Sequence, residues 1–169
     1  MHPKSFYFNY QANDEIAPLD VMMNKYVSNH NPKSVLDFGC GVGKNLRYLL
    51  DNNEGLTVCG IDMSFVNIIH ARAKNRIEFL VLGDEYHLCR LREFDVVMTT
   101  SVLCHIQDIT EIVKEFKRIA KDSIIICETK DIKGEFYYEH DYESFGFEFV
   151  GLQMVSGNDA LYKIYRWKQ

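Results

Sequence analysis

Residues 34–48 read SVLDFGCGVGKNLRY. A short apolar run, Val35-Leu36, ends at Asp37. Three glycines follow at alternating positions, Gly39, Gly41 and Gly43, and then Leu46, Leu49 and Leu50 recur at helical spacing. A strand, a tight glycine turn and a helix in this order form the entry to a nucleotide-type site in an open α/β sheet. Glycine lets the backbone turn sharply and lets a ligand approach it closely. The start of the next helix then offers unpaired N–H groups.

Further strands follow at intervals. Thr57–Ile61 is a second short apolar run that ends at Asp62, about 20 residues past the turn, where an acid holds ribose hydroxyls in such folds. Ile77–Leu82 is a third strand, ending in Gly83-Asp84, and Phe94–Thr100 a fourth, after a connector over 85–93. Ser123–Cys127 is a wholly apolar fifth, closed by Glu128-Thr129. Two more, 147–154 and 161–167, are joined by the turn residues 156–159, a hairpin signal. The spacing of Leu19, Met22, Met23, Tyr26 and Val27 predicts a helix over 17–29. Ser64 caps a helix whose Val66, Ile69 and Ala73 face inward. Asp108 or Thr110 starts another, with an apolar stripe of Ile109, Ile112, Val113, Phe116 and Ala120 and a solvated basic face of Lys114, Lys117, Arg118 and Lys121. A short helix over 138–145 ends at Gly146.

This pattern implies an α/β fold: one doubly wound, mostly parallel seven-stranded sheet with helices on both faces and an antiparallel C-terminal hairpin. The 169 residues fit a single domain. Within it, 1–30 supply an aromatic segment and a helix, 34–129 a binding core, and 130–169 a loop and the hairpin.

Apolar residues make up 47% and the net charge is −5. That balance gives no general attraction for nucleic acid or an anionic membrane. No apolar run approaches a membrane span, and the first residues lack a signal-peptide core. The five cysteines are dispersed with no C-x-x-C spacing. Free thiols in a cytosolic protein are expected, with neither disulfide nor metal site.

Taken together, D-x-G-x-G-x-G at 37–43, Asp62, Asp84 and the segment TTSVLCHIQD at 99–108 resemble the class I S-adenosylmethionine (SAM) dependent methyltransferases. The resemblance implies SAM as methyl donor and S-adenosylhomocysteine (SAH) as product. It places Asp37, Phe38, Gly39, Gly41 and Asn45 around the amino-acid end of the cofactor. Asp62 would accept from both ribose hydroxyls, and Met63 would lie against adenine. Gly83, Asp84 and Glu85 would hold the adenine edge, and Thr100 and Ser101 the sulfonium end. His105 is the first candidate for a general base and Glu128 the second. Tyr7, Tyr10, Tyr137, Tyr138 and His140 are candidates for the acceptor pocket, where aromatic rings also suit a cation.

The segment after the fourth strand has no [DNS]-P-P-[YF] and no Pro-Cys, the elements of DNA methyltransferases, and resembles that of small-molecule enzymes. The expected acceptor is therefore an O or N atom of a small molecule, with no DNA or membrane partner, in a monomer or homodimer. Two alternatives stand beside it: a non-catalytic subunit that keeps the fold, and an RNA or protein methyltransferase. Nicotinamide chemistry is disfavoured, because Lys44 stands where a dinucleotide fingerprint carries its third glycine.

Overall fold

The computed structural model describes residues 13–129, 137–155 and 160–169. The N-terminal aromatic residues, Tyr7 and Tyr10 among them, and the turn 156–159 lie outside the described residues.

Helix α1 (Pro18–Ser28) precedes β1 (Ser34–Phe38), α2 (Lys44–Asn52), β2 (Thr57–Asp62), α3 (Phe65–Ala73) and β3 (Leu80–Leu82). A 3-10 turn, Glu85–Arg90, leads to β4 (Phe94–Thr100), and a second, Leu103–His105, leads to α4 (Thr110–Ile119). Strands β5 (Ala120–Thr129), β6 (Glu148–Val155) and β7 (Ala160–Lys168) complete the chain. They form one sheet of order β3-β2-β1-β4-β5-β7-β6. Strands β1 to β5 run parallel, and β7 pairs antiparallel with both β5 and β6. The chain builds outward from β1 to β3, then returns to the other side of β1 for β4. The carboxyl ends of β1 and β4 therefore flank the point where the strand order reverses, the place where ligands bind in open α/β sheets.

Alternating strand residues feed two core layers. Val35, Val58, Met98 and Ile125 pack with Leu19 and Met23 of α1, Leu46 and Leu49 of α2, and Ile68 of α3. Leu36, Phe38, Ile61 and Ile126 pack with Ile112, Val113, Phe116 and Ile119 of α4. A strand buried on both faces is apolar at most positions, which is why the inner strands read as near-continuous apolar runs. Among the described residues no helix is long and apolar enough to cross a membrane, and all five cysteines are free thiols.

Four local expectations are corrected. In α3 the buried residues are Asn67, Ile68 and Ala71, while Val66 and Ile69 are 37% and 51% exposed. Ser64 caps the helix, accepting from the Asn67 amide. This frame puts positions 64, 67, 68 and 71 on the inner face, and Asn67 is retained there by its bond to Asp62. Strand β3 pairs only over Leu80–Leu82, although Ile77 before it is buried. The segment expected as a short helix over 138–145 is instead a pair of overlapping four-residue turns at 142–146 that closes on Gly146 at φ +81. The basic residues of α4 are not all solvated: Lys117 donates to the Phe145 carbonyl and lies over the Phe147 and Trp167 rings, and Arg118 donates to the Leu88 carbonyl.

Candidate active site

One cavity of about 1020 Å³ opens at the carboxyl ends of β1 to β4. Each strand contributes its last residues and the turn that follows. From β1 come Phe38, Gly39 and Gly41, from β2 Asp62 and Met63, and from the end of β3 Gly83, Asp84 and Glu85. From β4 come Thr100 and Ser101, and Asn45 of α2, His105, Tyr137 and Tyr138 also line the cavity.

The glycine turn is built from left-handed residues, with Gly39, Gly41 and Gly43 at φ +76, +54 and +78. Gly39 also has no room for a side chain: a Cβ there would lie 2.3 Å from Cγ2 of Val102. The turn is fastened to β2, because the Gly39 and Cys40 amides both donate to the Ile61 carbonyl. The Gly41 amide donates to Oδ2 of Asp62 at 2.8 Å. Helix α2 begins directly after Gly43 with no side-chain cap.

The Asp62 carboxylate also accepts through Oδ1 from the Ser64 amide at 2.8 Å and from Asn67 Nδ2 at 3.3 Å. Burial pushes this carboxyl up, and the bonds from Ser64, Gly41 and Asn67 oppose the rise. Asp84 accepts from the Tyr86 amide at 3.2 Å, and its Oδ1 lies 3.1 Å from His87 Nδ1.

Three candidate residues lie elsewhere. Asp37 sits beneath the turn, 1% exposed, and is not part of the cavity wall. Its Oδ2 has no hydrogen-bond partner among the described residues. Burial first, and the charges of Asp62 and Asp20 next, push this carboxyl up to about 8, against the pull of Lys44. Glu128 and His140 border a second, small cavity of about 30 Å³. Oε1 of Glu128 is occupied by the amides of Val102 and Leu103, and His140 Nε2 lies 3.0 Å from the Leu103 carbonyl. The His105 ring does face the main cavity, with its centroid 4.7 Å from that of Tyr137.

The structure adds residues that the sequence did not single out. Lys44 ion-pairs with Asp20 at 2.7 Å and donates to the Glu15 carbonyl, closing one end of the cavity with the segment before α1. Asn67, Val102, Gln107, Asp108 and Tyr162 also line the wall. Asn67 carried a signal, being an amide residue on the first turn of a capped helix after an acidic strand end. Lys44 and Asp20 carried none, because they come from separate helices. Among the described residues there is no grouping of His, Cys, Asp or Glu able to hold a metal ion.

A protein-family model described as a methyltransferase domain matches residues 12–155. A curated relative, the tRNA U34 carboxymethyltransferase of Photobacterium profundum, is 35% identical over 118 residues, which is 65% of this chain and 36% of that protein. The match thus spans about a third of the relative's length. Among solved structures, the magnesium protoporphyrin IX methyltransferase of Synechocystis PCC 6803 with bound SAM superposes with TM-score 0.73 at 17% identity, covering 100% of this chain and 98% of that one. The N-methyltransferase NodS of Bradyrhizobium japonicum WM9 in complex with SAH gives TM-score 0.71 at 13% identity over 98% of both chains. The 1,6-didemethyltoxoflavin-N1-methyltransferase of Burkholderia thailandensis gives 0.68 at 17% identity, covering 90% of this chain and 78% of that one.

Proposed function

The chain belongs to the methyltransferase domain family and has the class I SAM-dependent methyltransferase fold, and we propose that it transfers the methyl group of SAM to an O or N atom of a small molecule. The observation that carries this reading is the convergence of four successive strand ends on one cavity of about 1020 Å³. Single-ligand sites typically measure about 300–1,000 Å³. A volume at the top of that range suits a donor and an acceptor side by side.

The residues fit SAM. Oδ2 of Asp37 is buried beneath the glycine turn with no hydrogen-bond partner among the described residues, which leaves an acceptor for an N–H donor. Oγ1 of Thr100, at the end of β4, is likewise buried with no partner among the described residues. A carboxylate has about four lone-pair directions. The Gly41, Ser64 and Asn67 donors fill three of those on Asp62, so Oδ2 retains capacity for one ribose hydroxyl. Gly39, Gly41 and Asn45 would hold the amino-acid end, Met63, Gly83, Asp84 and Glu85 the adenine, and Thr100 and Ser101 the sulfonium end.

When bound, SAM supplies a methyl group on a cationic sulfur, which leaves as a neutral thioether. The protein's part is then to align the acceptor and exclude water. His105 faces the cavity and takes the acceptor's proton where one must be lost. Glu128 is not placed for that task, since it faces the second cavity and is already bonded to two amides.

The walls also bear on the acceptor. Among the described residues, Lys44 is the one lysine or arginine in the lining, and it is paired with Asp20. Asp62, Asp84, Glu85 and Asp108 are the other charged residues there. These charges favour an acceptor without phosphate or carboxylate groups, and the tilted His105–Tyr137 ring pair and Tyr138 favour a ring or a cation. The identity with an enzyme named for tRNA supports a second reading, an RNA acceptor. The acidic walls and the net charge of −5 count against it.

Incubation with methyl-labelled SAM and two cell fractions, total RNA and protein-free small molecules, tests the reading. The proposal expects label in the small-molecule fraction alone. Label in RNA would replace it with the second reading.

A further inference from the structure

We infer that Glu128 is a positioning residue, whose buried carboxylate holds the 101–105 turn in the shape that forms one wall of the cavity and carries His105. The inference rests on the SAM site proposed above.

Glu128 stands near the carboxyl end of β5 and is 4% exposed. Its Oε1 accepts from the amides of Val102 at 3.1 Å and Leu103 at 2.9 Å. The same turn is also gripped by Tyr138 and His140 and by the β5 backbone. The ring N–H at His140 Nε2 donates to the Leu103 carbonyl at 3.0 Å, and the Tyr138 amide donates to the Cys104 carbonyl at 2.7 Å. The Ser101 amide donates to the carbonyl of Cys127, the residue before Glu128, at 2.9 Å. Five bonds thus fix four residues, 101–104, that belong to no long helix or strand.

A second observation points the same way. Ser101 sits at φ +55, in the left-handed region that side chains rarely adopt. Such a conformation persists only where the surroundings impose it. Ser101 lines the cavity, as do Val102 and His105. The Val102 side chain fills the space over Gly39, so the turn also closes onto the β1 glycine loop. A shift of this turn therefore moves the sulfonium-side wall and the candidate base together.

The other oxygen, Oε2, is buried with no partner among the described residues. It borders the second cavity, about 30 Å³ in volume, which is lined by His140, Tyr142 and Tyr165. That is the share of one water molecule, among groups able to bond it. Burial pushes the carboxyl up, and hydrogen bonds from the Cys104 side chain and from the amides of Leu103, Val102 and Cys104 oppose the rise. Oε1 accepts from the two amides in either protonation state. Glutamine, which keeps that oxygen, should keep the turn, and alanine should lose it.

The test is amide hydrogen exchange and SAH calorimetry on the wild-type chain, E128Q and E128A. In the wild type the Val102 and Leu103 amides should exchange as slowly as the β5 ladder, although they lie in a turn. E128A should lose at least about tenfold protection at those two amides. Its SAH dissociation constant should rise at least about tenfold, and its His105 ring resonances should shift. E128Q should stay within about threefold of wild type in both measures. Exchange at free-loop rates in the wild type would overturn the inference. So would a folded E128A with unchanged SAH affinity and His105 resonances. If E128A does not fold, wild-type exchange and E128Q decide, and a tenfold loss in E128Q would overturn it. A wild-type chain that binds no SAH refutes the proposed function instead, and the exchange pattern then judges the clamp alone.

Discussion

The amide of Gly41 donates to Oδ2 of Asp62 across 2.8 Å, so the glycine turn after β1 and the acid that ends β2 form one hydrogen-bonded unit. Asp62→Ala removes that bond together with those from Ser64 and Asn67. It also removes the acceptor proposed for a ribose hydroxyl. A hydrogen bond to a charged group contributes about 1.5–3 kcal/mol, so SAH affinity should fall roughly 10- to 100-fold. Calorimetry on a variant shown to be folded by circular dichroism measures this. Affinity within threefold of wild type would remove Asp62 from the site.

The Asp37 carboxyl, pushed up to about 8 from 3.8 mainly by burial, makes stability depend on pH. Between roughly pH 4 and 8 the native state keeps this proton and the unfolded chain has released it. The contribution is fully present below the unfolded value and is lost as the pH rises through the folded one. Asp37→Asn is neutral in both states. Its stability relative to wild type should therefore grow with pH across this window, by at most about 1.4 kcal/mol per pH unit. Urea unfolding of both proteins from pH 5 to 8 checks the slope, and a constant difference would contradict the assignment.

Gly39→Ala tests the contact between the glycine turn and the 101–105 turn. The new Cβ would meet Cγ2 of Val102 at 2.3 Å and Cγ1 at 2.9 Å, on a backbone at φ +76. Left-handed strain costs about 1–2 kcal/mol and overpacking about 1–3 kcal/mol. A loss of roughly 2–5 kcal/mol is expected. Val102→Ala in the same chain should recover the overpacking part, which a double-mutant cycle isolates. Additive losses would show that the two residues do not meet.

Much of the fold was readable because its signals are local. The runs at 35–36, 57–61 and 94–100 are mostly apolar, as strands covered on both faces are, and each of the first two ends at an acid. The glycine turn is legible for the same reason. What escaped depends on partners far along the chain. Glu128 looks like a candidate base in the sequence, and its role turns on amides of Val102 and Leu103, some 25 residues earlier. His140 resembles an acceptor contact, and its bond to the Leu103 carbonyl takes it to the second cavity. In α3 the apolar residues Val66 and Ile69 suggest the inner face, but the Ser64 cap and the Asn67–Asp62 bond set the frame and leave both outside.

Titration of SAH into the purified chain, followed by calorimetry, tests the central claim most directly. One site per chain with a dissociation constant on the order of micromolar, competed by SAM, is the predicted result. Folded protein that gives no heat with either compound would contradict it.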